Sequence, residues 1–237
     1  MKKIRKIFVN ILCGFIPNRQ TRKRLRITLN NPIIKQMTDF AKSFSNKKHP
    51  NIKHTYGFRC ANVVITVDNK WVFKFPLMDN GKEISVREKR ITDALRPISP
   101  IKIPNMEILN WNGMYVRKYE YIPGVGFNTL SRNEQNKRAE KLAKQLAQCL
   151  YVLGNVDPRE ICDLKSNPKD KPSIMHGWNQ NDLWDNFLIN PKNSKIVGLI
   201  DWESAGFNDF YNCFTCGTGN DIIKIELLQE YLKLLKK

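Results

Sequence analysis

Acidic residues are nearly absent from the first 54 positions of this 237-residue chain, which hold 14 lysine and arginine residues and one acid, Asp39. Residues 55–237 hold 26 basic and 21 acidic residues, so most of the positive charge lies in the N-terminal part. A hydrophobic content of 41% excludes a disordered tail or a collagen-like rod. The composition predicts a near-neutral globular body, large enough to bury a real core, with a basic arm over residues 1–54.

Long apolar runs are also missing. The best candidate for a targeting segment is the stretch from Ile7 to Ile16, and ten residues cannot cross a hydrocarbon core that needs about 20. Asn10 interrupts the stretch, and no small-x-small cleavage site follows it. We therefore expect neither a transmembrane helix nor a signal peptide here.

Residues 1–30 combine short apolar segments with nine lysine and arginine residues. This pattern is typical of an interfacial helix, so we expect a cytoplasmic protein whose residues 1–30 contact an anionic membrane surface at the inner face of the cell membrane. The alternative is a helix that packs on its own domain and keeps a solvated basic face. Nucleic acid is a poorer match, because residues 17–39 contain no aromatic side chain for base stacking before Phe40.

Cysteine and histidine are too sparse to indicate a zinc site. Six cysteines are spread along the chain, and only Cys213 and Cys216 form a CxxC pair. No second pair accompanies them, and a closed zinc site needs more ligands than two. We expect reduced thiols and a cytosolic setting, with the CxxC pair serving as small apolar residues in a turn.

A β-hairpin is predicted over Asn62–Phe75, where β-branched and aromatic residues flank the turn pair Asp68-Asn69. Side chains alternate along a strand, so Lys74 falls on the face opposite the aromatic residues of the second strand. Lys74 is therefore expected among hydrophobic neighbours.

A helix is predicted over Glu83–Leu95 from apolar residues at helical spacing. Glu88 falls on the same stripe, and a carboxylate facing the core is costly unless it is paired. The preceding strand offers Lys74 as a partner, so we expect an ion pair between the two. The alternative places Glu88 at the edge of the stripe and Lys74 at the margin of the sheet.

Further along, a strand over Met114–Gly124 ends at a Pro-Gly break, which marks a boundary between two lobes. Ser131 and Glu134 then form a capping box. It leads into an amphipathic helix over 139–153, and a second amphipathic helix is predicted over 221–237.

A second hairpin is predicted within residues 176–203, where the apolar runs Phe187–Ile189 and Ile196–Ile200 are joined by Pro-Lys-Asn-Ser. Antiparallel pairing brings its two outer ends together. Three polar residues precede the first strand and one follows the second, namely Asp182, Asp185, Asn186 and Asp201. Such hard oxygen ligands suit Mg²⁺, and a further acid nearby could accept a proton from a hydroxyl nucleophile.

The sequences HGWNQNDLWDNFLIN (176–190) and IVGLIDWESAG (196–206) together resemble the aminoglycoside phosphotransferase and choline kinase superfamily of protein-kinase-like enzymes. The resemblance spans about residues 55–237, and GLIDWESAG is its most specific part. It implies an α+β, two-lobe protein-kinase-like fold with a small antiparallel-sheet N-lobe carrying one helix and a mainly helical C-lobe, preceded by a basic helical arm. The corresponding domains are the arm (1–54), the N-lobe (55–122) and the C-lobe (123–237).

The same resemblance implies roles for residues of the second hairpin. Asp182 would be the catalytic base, and Asn186 and Asp201 would be the Mg²⁺ ligands. His176 would be the structural histidine that opens the catalytic loop.

In the first lobe the resemblance implies a nucleotide site for ATP. Lys74 would hold the phosphates and Glu88 would be its ion-pair partner, which agrees with the pairing inferred from the helix stripe. The strand Met114–Ile122 would be the hinge whose backbone receives adenine, at Glu120, Tyr121 and Ile122.

The chain departs from the family pattern in the spacing of its catalytic loop. Asp182 and Asn186 are four positions apart, one fewer than the usual five, and Trp178 stands where an aspartate would follow His-Gly. No GxGxxG motif is present, and Gly57 is the only glycine close before the first strand. An insertion after His176 with a deletion before Asn186 explains the spacing, and the alternative is a pseudokinase or scaffold that has lost phosphate transfer.

The expected activity is ATP- and Mg²⁺-dependent phosphorylation of a hydroxyl on a small molecule or sugar. The segment FIPNRQTRKRLR (15–26) resembles the N-terminal part of bacterial enzymes that build lipopolysaccharide or capsule, so the acceptor is expected to be a surface glycan or its lipid-linked precursor. A polycationic aminoglycoside fits less well because the chain has few spare acids. Choline stays open, since Trp178, Trp184 and Trp202 could form an aromatic cage, although core packing explains these tryptophans as well.

Overall fold

A computed structural model of the chain describes residues 2–18, 21–22, 25, 29, 33–57, 61–156, 176–179, 183–209 and 220–236. Side chains are described for all of these except residues 2–6, 10, 176–179 and 207–209. The predictions for Asp182, for the side chains of His176 and Trp178, and for the Cys213–Cys216 pair lie outside what is described.

The helices and strands occur in the following order: α1 Lys2–Gly14, α2 Ile33–Lys42, β1 Ile52–Tyr56, β2 Asn62–Val67, β3 Trp71–Pro76, α3 Gly81–Leu95, β4 Glu107–Trp111, β5 Met114–Glu120, β6 Val125–Gly126, α4 Arg132–Asn136, α5 Ala139–Gly154, β7 His176–Asn179, α6 Leu183–Asn186, β8 Phe187–Asn190, β9 Lys195–Leu199, β10 Gly206–Asp209 and α7 Asp221–Leu235. Short 3₁₀ helices occur at Phe127–Thr129 and Trp202–Ser204. No helix of the described part is long and apolar enough to cross a membrane.

The chain forms two compact units. The first comprises Met1–Gly81 and Leu109–Lys118, and the second comprises Lys82–Ile108 and Tyr119–Lys237.

The first unit is built on a five-stranded sheet in the order β1-β2-β3-β5-β4. Strands β2 and β3 pair antiparallel from Val67 opposite Trp71 to Asn62 opposite Pro76, as the predicted hairpin requires. The turn residues Asp68 and Asn69 have φ values of 56° and 52°. Both therefore adopt the left-handed conformation that two-residue hairpin turns use.

Helix α2 packs against this sheet. Its residues Ile34, Met37 and Ala41 are buried in one cluster with Phe73 and Phe75 of β3. Residues 33–56, most of which the sequence analysis assigned to the basic arm, thus supply a core helix and the edge strand β1. For this part of the arm, packing on the protein's own domain is what the structure shows.

The second unit is built on helices α5 and α7. The stripe predicted for α5 is buried as expected, including Leu142, Leu146 and Leu153, and Leu227 and Tyr231 of α7 belong to the same core. The Ser131 side chain caps α4 by accepting the N–H of Glu134, which confirms that part of the capping box. Beside these helices lie a three-stranded sheet, β6-β8-β9, and the β7–β10 pair.

Candidate functional site

The β8–β9 hairpin brings the two predicted metal ligands to the same end. Phe187 pairs with Leu199, which places Asn186 just before β8 and Asp201 just after β9. The N–H of Ile200 donates to the carbonyl oxygen of Asn186 over 2.9 Å, so the two chain segments are still in contact where these ligands lie. The predicted hairpin is therefore present, and its two outer ends lie together.

Asp201 has an unusual backbone conformation, with φ 64° and ψ 64°. A non-glycine residue in this left-handed region costs about 1 kcal/mol, and it persists only where its surroundings fix it. The short 3₁₀ helix Trp202–Ser204 begins directly after it. Backbone strain is thus located at the predicted carboxylate ligand.

Glu88 of α3 holds the backbone next to that strained residue. Its carboxylate Oε1 accepts the N–H of Trp202 over 2.8 Å, and the Glu88 side chain is completely buried. The prediction that Glu88 faces the core is confirmed, and the alternative position at the edge of the stripe is wrong. A buried carboxylate is stabilised by such a hydrogen bond to backbone.

Arg87 of α3 holds the same segment through hydrogen bonds to residues that follow Trp202. Its Nη1 donates to the carbonyl oxygen of Glu203 over 2.7 Å, and its Nη2 donates to that of Ala205. Partial burial lowers the pKa of the Arg87 guanidinium, and the neighbouring Glu88 charge raises it. Helix α3 thus holds the turn after Asp201 at three points, residues 202, 203 and 205.

Sequence reasoning missed Arg87. It is one of many basic residues in the chain and lies beside the apolar stripe of α3, so nothing in the local pattern distinguishes it. Its partners are backbone carbonyls more than 100 positions away, which leave no signal in the sequence.

Lys74 lies in the first unit, on the central strand β3, and only 3% of it is exposed. It pairs with Val64 of β2, on the face opposite Phe73 and Phe75. Lys74 is buried, as the prediction requires, and the alternative at the sheet margin is wrong because β3 is a central strand. The ion pair between Lys74 and Glu88 stays a prediction.

The same sheet face carries a second buried basic residue that the sequence analysis did not single out. Arg117 of β5 is fully buried, and its Nη2 donates to Asn62 Oδ1 over 2.6 Å. The alternation of β5 places Arg117 opposite Val116, which belongs to the apolar core of the other face. The face with Lys74 is therefore polar at its centre.

The predicted hinge consists of β5, Met114–Glu120, and the two residues after it. The Glu120 carboxylate is largely exposed and lies 3.7 Å from Lys102 Nζ, so its side chain faces solvent. Ile122 is buried against Gly198 of β9, where an added Cβ would lie only 2.8 Å from the Ile122 side chain. Close packing that only glycine permits thus fixes the hinge to the β8–β9 hairpin.

Asp185 and two of the tryptophans have clear surroundings. The exposed Asp185 carboxylate accepts a hydrogen bond from Asn128 Nδ2 over 3.0 Å. Trp184 is buried against Phe187, and Trp202 is buried with its Nε1 donating to the carbonyl oxygen of Leu199. Core packing therefore accounts for Trp184 and Trp202, and neither is placed to form an aromatic cage for choline.

The residues at the hairpin end fit a magnesium ion that takes some of its ligands from the protein and the others from a nucleotide. Asn186 offers an amide oxygen and Asp201 a carboxylate, which are ligands that Mg²⁺ accepts. Among the described residues no group of three or more His, Cys, Asp or Glu residues could hold a metal by itself. A protein site with few ligands is usual where substrate phosphates and water complete the coordination.

A scan against protein-family models and a search of curated proteins returned no match. Solved structures do match. The GDP and kanamycin complex of an APH(2″) aminoglycoside phosphotransferase has a TM-score of 0.62 and 16% identity, covering 86% of this chain and 86% of that chain. The ADP-bound aminoglycoside phosphotransferase APH(2″)-Ib has a TM-score of 0.63 and 15% identity, covering 83% and 81%.

A macrolide 2′-phosphotransferase, MphH from Brachybacterium faecium, matches with a TM-score of 0.59 and 14% identity, covering 86% of this chain and 83% of that chain. Identities at this level establish the fold alone. The α+β, protein-kinase-like architecture predicted from the sequence is thereby confirmed, and the chain has the fold of the antibiotic phosphotransferases.

Proposed function

We propose that this protein is a phosphotransferase that uses ATP and Mg²⁺ to phosphorylate a hydroxyl group of a small molecule or sugar. The observation that carries the proposal is the end of the β8–β9 hairpin, where Asn186 and a strained Asp201 lie. Helix α3 holds the turn after Asp201 through hydrogen bonds made by Glu88 and Arg87. Strain held at a carboxylate in this way is typical of a functional site. The shared fold with antibiotic phosphotransferases supports the same conclusion.

In this proposal Asn186 and Asp201 bind the magnesium ion that accompanies the nucleotide phosphates. The ion neutralises negative charge on the transferring phosphoryl group when it is bound. Asp182 accepts the proton of the acceptor hydroxyl and orients its oxygen towards that group. The Asp201 turn keeps the metal ligands in place because Glu88 and Arg87 restrain the backbone that follows.

We assign the nucleotide to Lys74, Glu88 and the hinge. Lys74 holds the ATP phosphates and Glu88 pairs with Lys74, while the backbone of Glu120, Tyr121 and Ile122 receives the adenine. A buried lysine on a central strand needs a negative partner, which supports the first assignment. The rigid packing of Ile122 on Gly198 supports the second, because a preorganised backbone binds a planar base at a lower entropic cost.

For the acceptor we propose a hydroxyl of a surface glycan or its lipid-linked precursor, phosphorylated in the cytoplasm at the inner face of the cell membrane. The basic residues of positions 1–30 support a location near anionic lipid. An antibiotic acceptor is the second candidate, and the aminoglycoside and macrolide phosphotransferases that share the fold favour it.

The test is phosphate transfer from γ-labelled ATP, with GTP in parallel, in the presence and absence of Mg²⁺. Lipopolysaccharide core oligosaccharides, kanamycin, a macrolide and choline serve as acceptors. The proposal expects Mg²⁺-dependent transfer from ATP to one acceptor. Nucleotide binding without transfer to any acceptor or to water would instead identify a pseudokinase that keeps the fold.

A further inference from the structure

Helix α1 presents a continuous apolar face to solvent. Five large apolar side chains in and directly after this helix are between 52% and 83% exposed: Ile7, Phe8, Ile11, Leu12 and Phe15. Val9 and Cys13 of the same helix are 7% and 2% exposed. The helix therefore has one side buried in the protein and another side uncovered.

The exposed side chains fall on one side because of helical spacing. At 100° per residue their positions lie within an arc of about 140°, and Val9 and Cys13 lie outside it on the opposite side. An apolar arc of this width is normally buried. On α1 and the residue after it, the arc is exposed over about two and a half turns.

No other described element exposes as many large apolar side chains. Helix α7 exposes Ile222, Ile225 and Leu232, and charged residues stand between them in the sequence. A contiguous exposed apolar patch in a soluble domain marks an interaction surface.

The positive charge of residues 1–30 indicates which kind of partner contacts the apolar face of α1. Residues 1–30 contain nine lysine and arginine residues and no acid, and four of these basic residues lie within the sequence of α1 itself. Two copies of the chain that met through α1 would bring like charges together, which opposes association. An anionic lipid surface would attract the same charges while its acyl chains take up the apolar side chains.

We propose that α1 lies in the interfacial region of an anionic bilayer, with the face formed by Ile7, Phe8, Ile11, Leu12 and Phe15 inserted between the lipids. The helix has 13 residues and is too short to span the bilayer, so it lies in the plane of the membrane. This proposal rests on the membrane part of the proposed function and assigns it a face. It does not depend on phosphate transfer.

The test measures binding of the full-length protein to vesicles of phosphatidylglycerol and phosphatidylcholine, and to vesicles of phosphatidylcholine alone. The proposal expects binding to the anionic vesicles that weakens with salt. The double variant F8S/I11S should reduce the partition coefficient by about tenfold or more, since two inserted side chains are lost. Both positions are exposed, so the melting temperature should stay close to that of the wild type.

A matched control removes equal apolar surface elsewhere. The variant I222S/I225S changes two exposed isoleucines of α7 and should bind vesicles as the wild type does. The proposal is overturned if the wild type does not bind anionic vesicles, or if F8S/I11S binds as tightly as the wild type. It is also overturned if the wild type is a dimer in light scattering that F8S/I11S converts to a monomer. Phosphate transfer to a soluble acceptor reports on the proposed function independently of any of these results.

Discussion

Two kinds of left-handed residue occur in this protein, and they differ in what holds them. Among the described non-glycine residues, positive φ is found at Asp68, Asn69, Asn112, Ser194 and Asp201. The first four lie in the tight turns of the β2–β3, β4–β5 and β8–β9 hairpins, where the local geometry demands this conformation. Asp201 instead follows the end of β9, and distant residues of α3 secure the backbone behind it.

The two kinds differ in where their support comes from. A hairpin turn keeps its left-handed residues because the strands on both sides close it, so the conformation needs no remote support. At Asp201 the support comes from Glu88 and Arg87, over 110 positions earlier in the sequence. Such an arrangement fixes the direction of one side chain at the rim of the proposed metal site.

The largest expected effect concerns Asp182, the proposed catalytic base. Asp182→Asn removes the proton acceptor, so we expect turnover to fall on the order of 10²-fold or more while ATP binding largely persists. Asp185→Asn is the matched control in the same loop, because the exposed Asp185 carboxylate accepts a hydrogen bond from Asn128 in the structure. If Asp185→Asn abolishes transfer and Asp182→Asn does not, the two assignments must be exchanged.

Two substitutions of Glu88 test separately its support of the Asp201 turn and its proposed pairing with Lys74. Glu88→Gln keeps an oxygen for the Trp202 N–H but removes the charge, so we expect a folded protein whose turnover falls about tenfold. Glu88→Ala leaves a buried N–H without its partner and should lower the free energy of unfolding by about 1–3 kcal/mol. Full activity in Glu88→Gln would mean that the carboxylate has only the backbone role.

Arg87 should have a smaller effect. Arg87→Gln removes the donors that hold the carbonyls of Glu203 and Ala205, so we expect a loss of about 1 kcal/mol in unfolding free energy and a severalfold loss of turnover. Lys89→Gln is the control on the same helix, since its half-exposed pair with Asp93 contributes about 0.5 kcal/mol or less. Equal losses in the two variants would show that Arg87 is an ordinary surface residue.

The smallest effect is expected in the β2–β3 turn. Hydrogen bonds from Ser45 and from the Asn51 backbone, together with Lys47, hold the pKa of Asp68 below its ordinary value of 3.8. A carboxyl with a lowered pKa stabilises the fold above that value, and the contribution is lost as the pH falls below it. The melting temperature of Asp68→Asn should therefore fall less than that of the wild type on acidification through this range, with no change in nucleotide binding at neutral pH.

The sequence predicted those features that depend on local periodicity. Both hairpins follow from alternating β-branched residues and turn residues, and the burial of Lys74 and Glu88 follows from strand alternation and helix spacing. Each of these signals is contained within about 15 neighbouring residues, so no knowledge of the fold is needed.

Other features could not be predicted because they depend on tertiary contacts. The left-handed Asp201 and the hydrogen bonds from Arg87 require α3 and the segment after β9 to meet, which no local pattern encodes. The division of the basic arm is similar. Helices α1 and α2 come from one basic stretch, yet α2 is packed in the sheet core and α1 exposes its apolar face.

The assignment of Asp201 as a metal ligand is tested most directly by the Mg²⁺ dependence of ATP binding in Asp201→Gly. Asn69→Gly serves as the comparison, and binding is measured by calorimetry. Glycine relieves left-handed strain at both sites, so both variants should be as stable as the wild type or more stable, by up to about 1 kcal/mol. We expect Asn69→Gly to retain Mg²⁺-dependent ATP binding and Asp201→Gly to lose it. Unchanged Mg²⁺-dependent binding in a folded Asp201→Gly protein would contradict the assignment of Asp201 as the metal ligand.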